Sequence, residues 1–289
     1  MTGELSLVLD GQPVLEYQPA VDLTNGRLLG FEALVRWDHP TRGYIPPNIL
    51  IPWAEANDHI ITLNAWVLAE ACRRAAPWPV GIQLSVNCSP VQLRNGEASI
   101  AVVAALEETG LDPDRLTVEV TETTVADALT GEDLRALSRL GIHLAVDDVG
   151  TSWSTLENLR RLDIETAKVD RAFISGLEPH EGMNRAIVEA VIHVAHSMSM
   201  TTVGEGIETA QQVAILRDFG ADIGQGFFFA KPLSAEAADA LAMSEPRPLF
   251  ALAGDVLEAT TAEVQPRPLR LVDAPEAAPR APGASAEAG

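Results

Sequence analysis

The sequence predicts an α/β fold, a modified TIM (β/α)8 barrel with one antiparallel strand. The apolar side chains of residues 1–245 switch repeatedly between a period of two and a period of 3.6 residues, which is typical of strands alternating with helices. Roughly eight strands in a segment of this size suit a TIM-type barrel. The first connection contains Asn25-Gly26, a strong signal for a hairpin between antiparallel strands.

Each strand and helix is predicted from the spacing of its apolar residues. The predicted strands are Val14–Val21, Leu28–Arg36, Gly81–Asn87, Leu116–Thr121, Ile142–Asp147, Thr166–Asp170, Thr201–Glu205 and Ile223–Phe229. From the second strand on they are separated by the predicted helices Leu63–Ala75, Pro90–Glu108, Gly131–Leu140, Thr155–Leu162, Asn184–Ser197, Thr209–Phe219 and Ala235–Met243. Between the first two strands, Asn25-Gly26 predicts a type I′ turn. The run Phe227–Phe229 is expected to pack in the barrel rather than to stack on a base.

The composition of the chain changes at Pro246. The residues that follow end in APEAAPRAPGASAEAG, which is rich in proline and alanine and offers little to build a core. Residues 1–245 are therefore predicted to form the folded domain and residues 246–289 a disordered tail. The apolar stretch Leu249–Leu257 leaves open a contact between the tail and the domain.

The chain of 289 residues carries a formal net charge of −21, which argues against binding to DNA, RNA or anionic membranes. No apolar run approaches the length of a membrane-spanning helix, and the N-terminal MTGELSLVLDGQ lacks the regions of a signal peptide. A cytoplasmic location is therefore expected. Cys72 and Cys88 are too few for a disulfide framework or a zinc site, so both are expected to be reduced.

Alternation along the strands sends polar side chains to the barrel axis. In the third predicted strand, Leu84 and Val86 face the helices while Ser85 and Asn87 face the axis. TIM barrels place their active sites at the C-terminal ends of the strands. The carboxyl groups expected there are Glu32, Glu119, Asp147, Asp148 and Glu205, with Glu122 one step beyond its strand.

So many carboxylates at one barrel mouth repel one another unless cations neutralise them. Oxygen ligands, including the amide oxygen of Asn87, with no His or Cys among them, fit Mg²⁺ or Mn²⁺ better than zinc. The adjacent Asp147 and Asp148 suit a pair of metal ions, an arrangement used for in-line attack of water on a phosphodiester. Lys168 at the same mouth would orient that water or stabilise developing negative charge.

Each of these residues also has a structural interpretation. Asp148 is alternatively an N-cap of the next helix, and Lys168 with Asp170 a structural ion pair. Glu122 is alternatively a surface residue, and Asn87 a residue that holds a turn. A chemical role is favoured because several unrelated strands deliver acids to the same end of one barrel.

Seven segments follow one another between about Tyr17 and Pro232, namely YQPAVDLTNGRLLGFEALVRWDHP, LSVNCSP, VEVTET, AVDDVGTSWSTL, AKVDRAFI, VGEGIET and GQGFFF. Together they resemble the successive motifs of the EAL-domain phosphodiesterases, which act on the bacterial second messenger cyclic di-GMP. The resemblance implies a modified TIM barrel with an antiparallel strand and hydrolysis of one phosphodiester of cyclic di-GMP to linear pGpG. It also implies two Mg²⁺ or Mn²⁺ ions per site and a role in bacterial signalling.

The resemblance implies functional roles for individual residues. One metal site is implied for Glu32, Asn87, Glu119 and Asp147, and a second for Asp147, Asp148 and Glu205. The implied catalytic residues are Glu32, Lys168, Glu122 and Glu205. The implied residues of the nucleotide pocket are Gln18, Leu34, Arg36, Asp170 and Gln225. Among them, Lys168 matches the lysine that contacts the attacking water, Glu122 an acid that steadies the loop after the Asp pair, and Arg36 suits a phosphate oxygen. Glu208 also matches a family glutamate.

The chain departs from the family pattern directly after the Asp pair. It reads DDVGTSWSTL where members often read DDFGTGYSSL, so Val149, Ser152 and Trp153 replace Phe, Gly and Tyr. The family associates this loop with dimer contacts and with the second metal, so a homodimer is expected. The intact acids and lysine favour an active enzyme. The alternatives are a catalytically weak EAL-type receptor of cyclic di-GMP, acting through an unidentified signalling partner, and a scaffold that has lost the nucleotide.

Overall fold

The computed structural model describes residues 12–41, 43–127, 130–149, 162–177, 182–244 and 248–249. The strands are β1 Gln12–Asp22, β2 Leu28–His39, β3 Gly43–Ile45, β4 Gln83–Asn87, β5 Leu116–Thr121, β6 His143–Val149, β7 Thr166–Val169, β8 Thr201–Gly204, β9 Ile223–Gln225 and β10 Leu233–Ser234. The α-helices are α1 Pro47–Ala56, α2 Ile60–Ala75, α3 Pro90–Arg94, α4 Ala98–Thr109, α5 Glu122–Ala126, α6 Gly131–Arg139, α7 Arg171–Ser175, α8 Gly182–Ser197, α9 Ala210–Asp218 and α10 Ala235–Ala242.

Eight of the strands close into a barrel in the order β1-β2-β4-β5-β6-β7-β8-β9, with β9 pairing back onto β1. Strand β1 runs antiparallel to both of its barrel neighbours, β2 and β9, while the pairs from β2–β4 to β8–β9 are parallel. The short strands β3 and β10 add antiparallel edges to β2 and β1 outside the ring. The predicted modified barrel with one antiparallel strand is thus confirmed.

The β1–β2 connection is a hairpin, as predicted, but its turn is not of type I′. That turn needs positive φ at both central residues, whereas of the Asn25-Gly26 pair only Gly26 has a positive φ, 74°. The reason lies in Asp22, whose carboxylate accepts hydrogen bonds from the Thr24 amide at 2.7 Å and the Asn25 side chain at 2.7 Å. The turn therefore closes from Gly26 N–H to the Asp22 carbonyl over 2.8 Å.

The core lies between the barrel and its helices, because one face of each strand is apolar. Leu84 and Val86 of β4 belong to this core and are almost fully buried, as their alternation predicts. Two predicted elements differ from the structure. The helix predicted over Pro90–Glu108 is split into α3 and α4 at Gly96, which has a φ of 69°. Strand β9 stops at Gln225, and residues 227–229 form a turn instead.

The predicted helix Thr155–Leu162 lies outside the described residues, except for Leu162. Both cysteines are free, with Cys72 buried and Cys88 half-buried. In the part of the chain that the structure describes, no helix combines the length and the apolar character needed to cross a membrane.

The last described residue, Leu249, contacts the barrel. Its backbone N–H donates to the carbonyl of Gly26 over 2.7 Å, and its side chain packs against the apolar cluster that includes Val21 and Leu23. Leu249 therefore packs on the folded domain, although the sequence predicts that the domain ends at residue 245.

We expect a chain that ends after Leu249 to unfold within about 2 °C of the full chain, because it keeps every contact described between this segment and the barrel. A chain that ends after Arg247 should unfold at a lower temperature, since it loses the contact to the β1–β2 turn. Thermal denaturation of the three chains tests this. A large loss of stability in the chain ending at Leu249 would mean that later residues also pack on the barrel.

Candidate active site

Four carboxylates from four strands surround the ammonium group of Lys168. The side chain extends from β7 and is 2% exposed. Its Nζ lies 2.6 Å from Glu119 of β5 and 2.6 Å from Glu205, which directly follows β8. Glu32 of β2 lies at 3.4 Å and Asp147 of β6 at 3.9 Å. Parallel strands bring these residues together because their C-terminal ends meet at one mouth.

Two amide side chains complete the environment of Glu32. Asn87 Nδ2 donates to Glu32 Oε1 over 2.6 Å, and Gln225 Nε2 donates to Glu32 Oε2 over 2.7 Å. Burial opposes ionisation of Glu32, but Lys168 and the two amides hold its pKa below the usual value. Glu32 is therefore the anion of the cluster with the most hydrogen bonds. The side-chain amide of Asn87 donates to this carboxylate rather than holding a turn.

For the other buried acids, hydrogen bonds and Lys168 do not offset the effect of burial on the pKa. Burial, together with the charge of Glu32, raises the pKa of Glu119 to about 8. Burial also raises the pKa of Glu205 to about 8, although Lys168 acts in the opposite direction. One ammonium faces four carboxyl groups, so the cluster holds more negative charge than its own cation can balance.

The Asp147-Asp148 pair lies in a β-bulge of β6, and of the two only Asp147 lines the cavity described below. In a regular strand, adjacent side chains point to opposite faces. Here Val146 pairs with Ala167 and Val149 pairs with Val169, so two residues of β6 lie opposite Lys168 alone. Asp148 adopts a φ of 59°, a left-handed conformation that aspartate tolerates better than most residues.

This geometry decides two of the structural alternatives. Asp148 lies inside β6 with left-handed backbone, whereas an N-cap has extended backbone, so the N-cap interpretation of Asp148 is wrong. Lys168 forms its ion pairs within the acid cluster and not with Asp170. Asp170 is itself an N-cap, since its Oδ1 accepts from the Ala172 amide of α7 over 2.7 Å. Burial, Asp147 and a hydrogen bond with Asp170 raise the pKa of Asp148 to about 6.

Glu122 lies deeper than its surface interpretation predicts. It is the first residue of α5 and only 4% exposed. It does not line the cavity described below. The interpretation of Glu122 as a solvent-facing residue is therefore wrong.

A cavity of about 270 Å³ opens above the acids. The predicted site residues that line it are Gln18, Glu32, Leu34, Asn87, Asp147, Glu205 and Gln225. Gln18 is nearly buried and donates to the Ala230 carbonyl over 2.6 Å. Two predicted pocket residues, Arg36 and Asp170, do not line this cavity; Arg36 Nε instead donates to Glu16 Oε2 on β1 over 2.7 Å.

The cavity also has lining residues to which the sequence argument gave no clear role. They are Arg171, Gly206, Glu208, Gly226 and Phe227. The packing interpretation holds for Phe229, which is buried, but is wrong for Phe227, which is 52% exposed. The signal that separates the two is Gly226, whose φ of 156° ends the strand and begins the turn.

The acid cluster fits hard divalent cations by its chemistry. It offers carboxylate oxygens and the amide oxygen of Asn87, the type of donor that Mg²⁺, Mn²⁺ or Ca²⁺ prefers, and its four carboxyl groups face a single lysine. In the described residues, however, no three His, Cys, Asp or Glu side chains are arranged as a metal-binding group. The carboxylates of Glu119 and Glu205 are directed at Lys168 instead.

The family model of the EAL domain matches residues 6–232. A cyclic di-GMP phosphodiesterase of Pseudomonas aeruginosa, NbdA, is 39% identical over 240 residues, which cover 81% of this chain and 30% of the relative. Three other curated relatives are matched over only 28%, 29% and 34% of their own length.

Solved structures show the same similarity. The phosphodiesterase PaMucR, in complex with cyclic di-GMP, superposes with a TM-score of 0.76 at 36% identity, covering 81% of this chain and 95% of that one. BlrP1 of Klebsiella pneumoniae, described as a calcium and cyclic di-GMP complex, has a TM-score of 0.68 at 31% identity over 77% of this chain and 56% of that one.

The departure from the family pattern is only partly within the described residues. Val149 is the last residue of β6. Ser152 and Trp153, for which an effect on the second metal and on dimer contacts is expected, lie outside the described residues.

In metal-free protein we expect thermal stability to fall as the pH rises from about 5 to 8. Glu119 and Glu205 have pKa values of about 8 in the folded protein, well above the roughly 4.3 of an unfolded chain. The folded state therefore retains protons that the unfolded state has lost, and stability decreases through this window. Melting temperatures measured in EDTA across this range test the expectation.

The variant Glu119→Gln should show a smaller fall than the parent, because one of the raised pKa values is removed. The exposed Glu107 supplies the matched control, and Glu107→Gln should keep the parental pH dependence. Equal slopes in all three proteins would contradict the assignment of the effect to the acid cluster.

Proposed function

This chain belongs to the EAL domain family, and on that premise we propose that it hydrolyses one phosphodiester bond of cyclic di-GMP to linear pGpG in a metal-dependent reaction. The observation that carries the proposal is the cluster of Glu32, Glu119, Asp147 and Glu205 around Lys168 beneath an open cavity. The proposed biological role is to lower the level of this second messenger in bacterial signalling.

The proposed metal ligands are the oxygen donors at the barrel mouth. We assign Glu32, Asn87, Glu119 and Asp147 to one divalent cation, and Asp147, Asp148 and Glu205 to a second, with Mg²⁺ or Mn²⁺ as the cations. When bound, such ions supply Lewis-acid stabilisation of the phosphodiester oxygens. The bulge at Asp148 supports the assignment, because it puts two neighbouring aspartates opposite Lys168 alone.

The proposed catalytic role of Lys168 is to orient the attacking water and to stabilise negative charge as it develops. Its acid neighbours raise the pKa of Lys168 well above the usual value despite the opposing effect of burial, so the group is a hydrogen-bond donor and a cation, not a base. Glu122, which is buried at the start of α5, is proposed to hold the segment that follows the Asp pair.

The remaining residues are proposed to bind the nucleotide. Gln18, Leu34 and Gln225 line the cavity and offer amide groups and an apolar surface to a base. Arg36 is proposed to bind a phosphate oxygen, exchanging its hydrogen bond to Glu16 for one to the ligand. Asp170 is proposed to lie beside the substrate.

Domain organisation and assembly are proposed from the family to which the chain belongs. We propose that residues 1–245 act as the phosphodiesterase domain, that residues 246–289 are a tail dispensable for hydrolysis, and that the domain acts as a homodimer. Action on a second messenger inside the cell requires a cytoplasmic location for the domain.

Cyclic di-GMP incubated with the full chain and Mn²⁺ should be converted to pGpG, as measured by chromatography. Excess EDTA should abolish the reaction, because the acids then lack their cations. Ca²⁺ is larger and tolerates irregular coordination, so it should support binding with little turnover. Full activity in excess EDTA would contradict the metal assignment, while tight binding without hydrolysis in Mn²⁺ would favour the receptor alternative.

Lys168→Met should lower kcat by a factor on the order of 10²–10³, because a preorganised cation is removed from the reacting centre. The affinity for cyclic di-GMP, measured in Ca²⁺, should change much less. The melting temperature in Mn²⁺ checks that the variant is folded, and Lys168→Arg, which keeps the charge in a different geometry, should also be slow. Normal turnover in the folded Met variant would show that the lysine has a structural role only.

A further inference from the structure

We propose that Arg171 is a second phosphate-binding residue of this site, held at the cavity rim by Glu208 and directed at the part of the ligand that lies outside the acid cluster. The proposal rests on the proposed function, since it takes cyclic di-GMP as the ligand. The role proposed for Arg171 does not depend on hydrolysis, because it concerns only the affinity for cyclic di-GMP.

The stem of Arg171 lies against the backbone next to Glu205. A Cβ atom at Gly206 would come within 2.8 Å of three side-chain carbons of Arg171, so the arginine runs directly over this glycine. Gly206 also has a φ of 65°, which favours glycine. The glycine between Glu205 and Ile207 thus leaves the room that brings Arg171 to the cavity.

The guanidinium group is held at its other end by Glu208. Arg171 Nη2 lies 2.6 Å from Glu208 Oε1. The Glu208 backbone is fixed in turn, because its N–H donates to Gln212 Oε1 over 2.7 Å within the capping box of α9. Arg171 is therefore positioned before any ligand arrives, although its side chain is 61% exposed.

The charges around the cavity favour Arg171 as the residue that binds an anionic group of the ligand. Of the described residues that line the cavity, Arg171 alone is basic, whereas Glu32, Asp147, Glu205 and Glu208 are acidic. Lys168 lies beneath the acids and is not part of the lining. A ligand with two phosphodiester groups brings a second negative charge to the rim, and a guanidinium group is suited to bind it.

The test measures KM and kcat for cyclic di-GMP in Mn²⁺, together with Kd in Ca²⁺. Arg171→Gln should raise KM and Kd about tenfold while kcat changes less than about twofold, because the residue binds the ligand away from the reacting centre. The difference should shrink in high salt. Arg217→Gln, at an exposed arginine at the end of α9 outside the cavity, is the matched control and should behave like the parent.

The variant Glu208→Gln tests whether Arg171 binds the ligand directly or only adds positive charge to the surface. The amide oxygen still accepts from Arg171 while the competing negative charge is gone, so KM should fall by roughly two- to threefold. Unchanged KM and Kd in Arg171→Gln, or the same loss in Arg217→Gln, would overturn the role of Arg171 while leaving the proposed hydrolysis intact. If the parent chain binds cyclic di-GMP without hydrolysing it, the Kd values still decide the role of Arg171; if it does not bind it at all, both proposals fail.

Discussion

The buried ammonium group of Lys168 and the four carboxylates around it are the interaction on which this site depends. An isolated charge of either sign at this depth is strongly unfavourable. The lysine is tolerated because the acids surround it, and Glu32 is tolerated as an anion because Lys168, Asn87 and Gln225 all donate to it. Glu119 and Glu205 share the same lysine and are left with raised pKa values. The cluster is therefore incomplete as an ionised assembly, which is the property that favours additional cations.

Two irregularities of the barrel determine where residues of this site lie: the antiparallel strand β1 and the bulge in β6. Strand β1 runs against the direction of its neighbours, so Gln18 reaches the mouth as the cross-strand partner of Glu32 although it precedes it by a whole hairpin. The bulge in β6 inserts one residue, so that Asp147 and Asp148 both lie opposite Lys168. Without the bulge, the adjacent side chains of Asp147 and Asp148 would point to opposite faces of the sheet.

The parts of this arrangement that follow from periodicity could be predicted from the sequence. The strands, the antiparallel hairpin and the set of acids all depend on residue type and spacing, and those are visible in a single chain. The turn at Asn25-Gly26 could not be predicted, because the Asp22 carboxylate competes for the turn and overrides the dipeptide. The left-handed conformation of Asp148 and the exposure of Phe227 beside buried Phe229 depend on backbone geometry after a bulge or a glycine. Neither leaves a periodic signal.

In the acid cluster several carboxylates surround one cation, whereas near the cavity two arginines are each paired with a glutamate. Arg171 at the rim is held by Glu208, and Arg36, which lies outside the cavity lining, is held by Glu16, so each of these two arginines already has a carboxylate partner. An anionic ligand must therefore replace a glutamate rather than simply meet a free cation, and such an exchange gains little for one weakly placed charge. Two phosphodiester groups on one rigid ring can make both exchanges while the entropy of association is lost only once. Under the proposed function, the paired arginines thus favour a ligand with two phosphates over a mononucleotide, by the same requirement for charge balance that holds Lys168 among its acids.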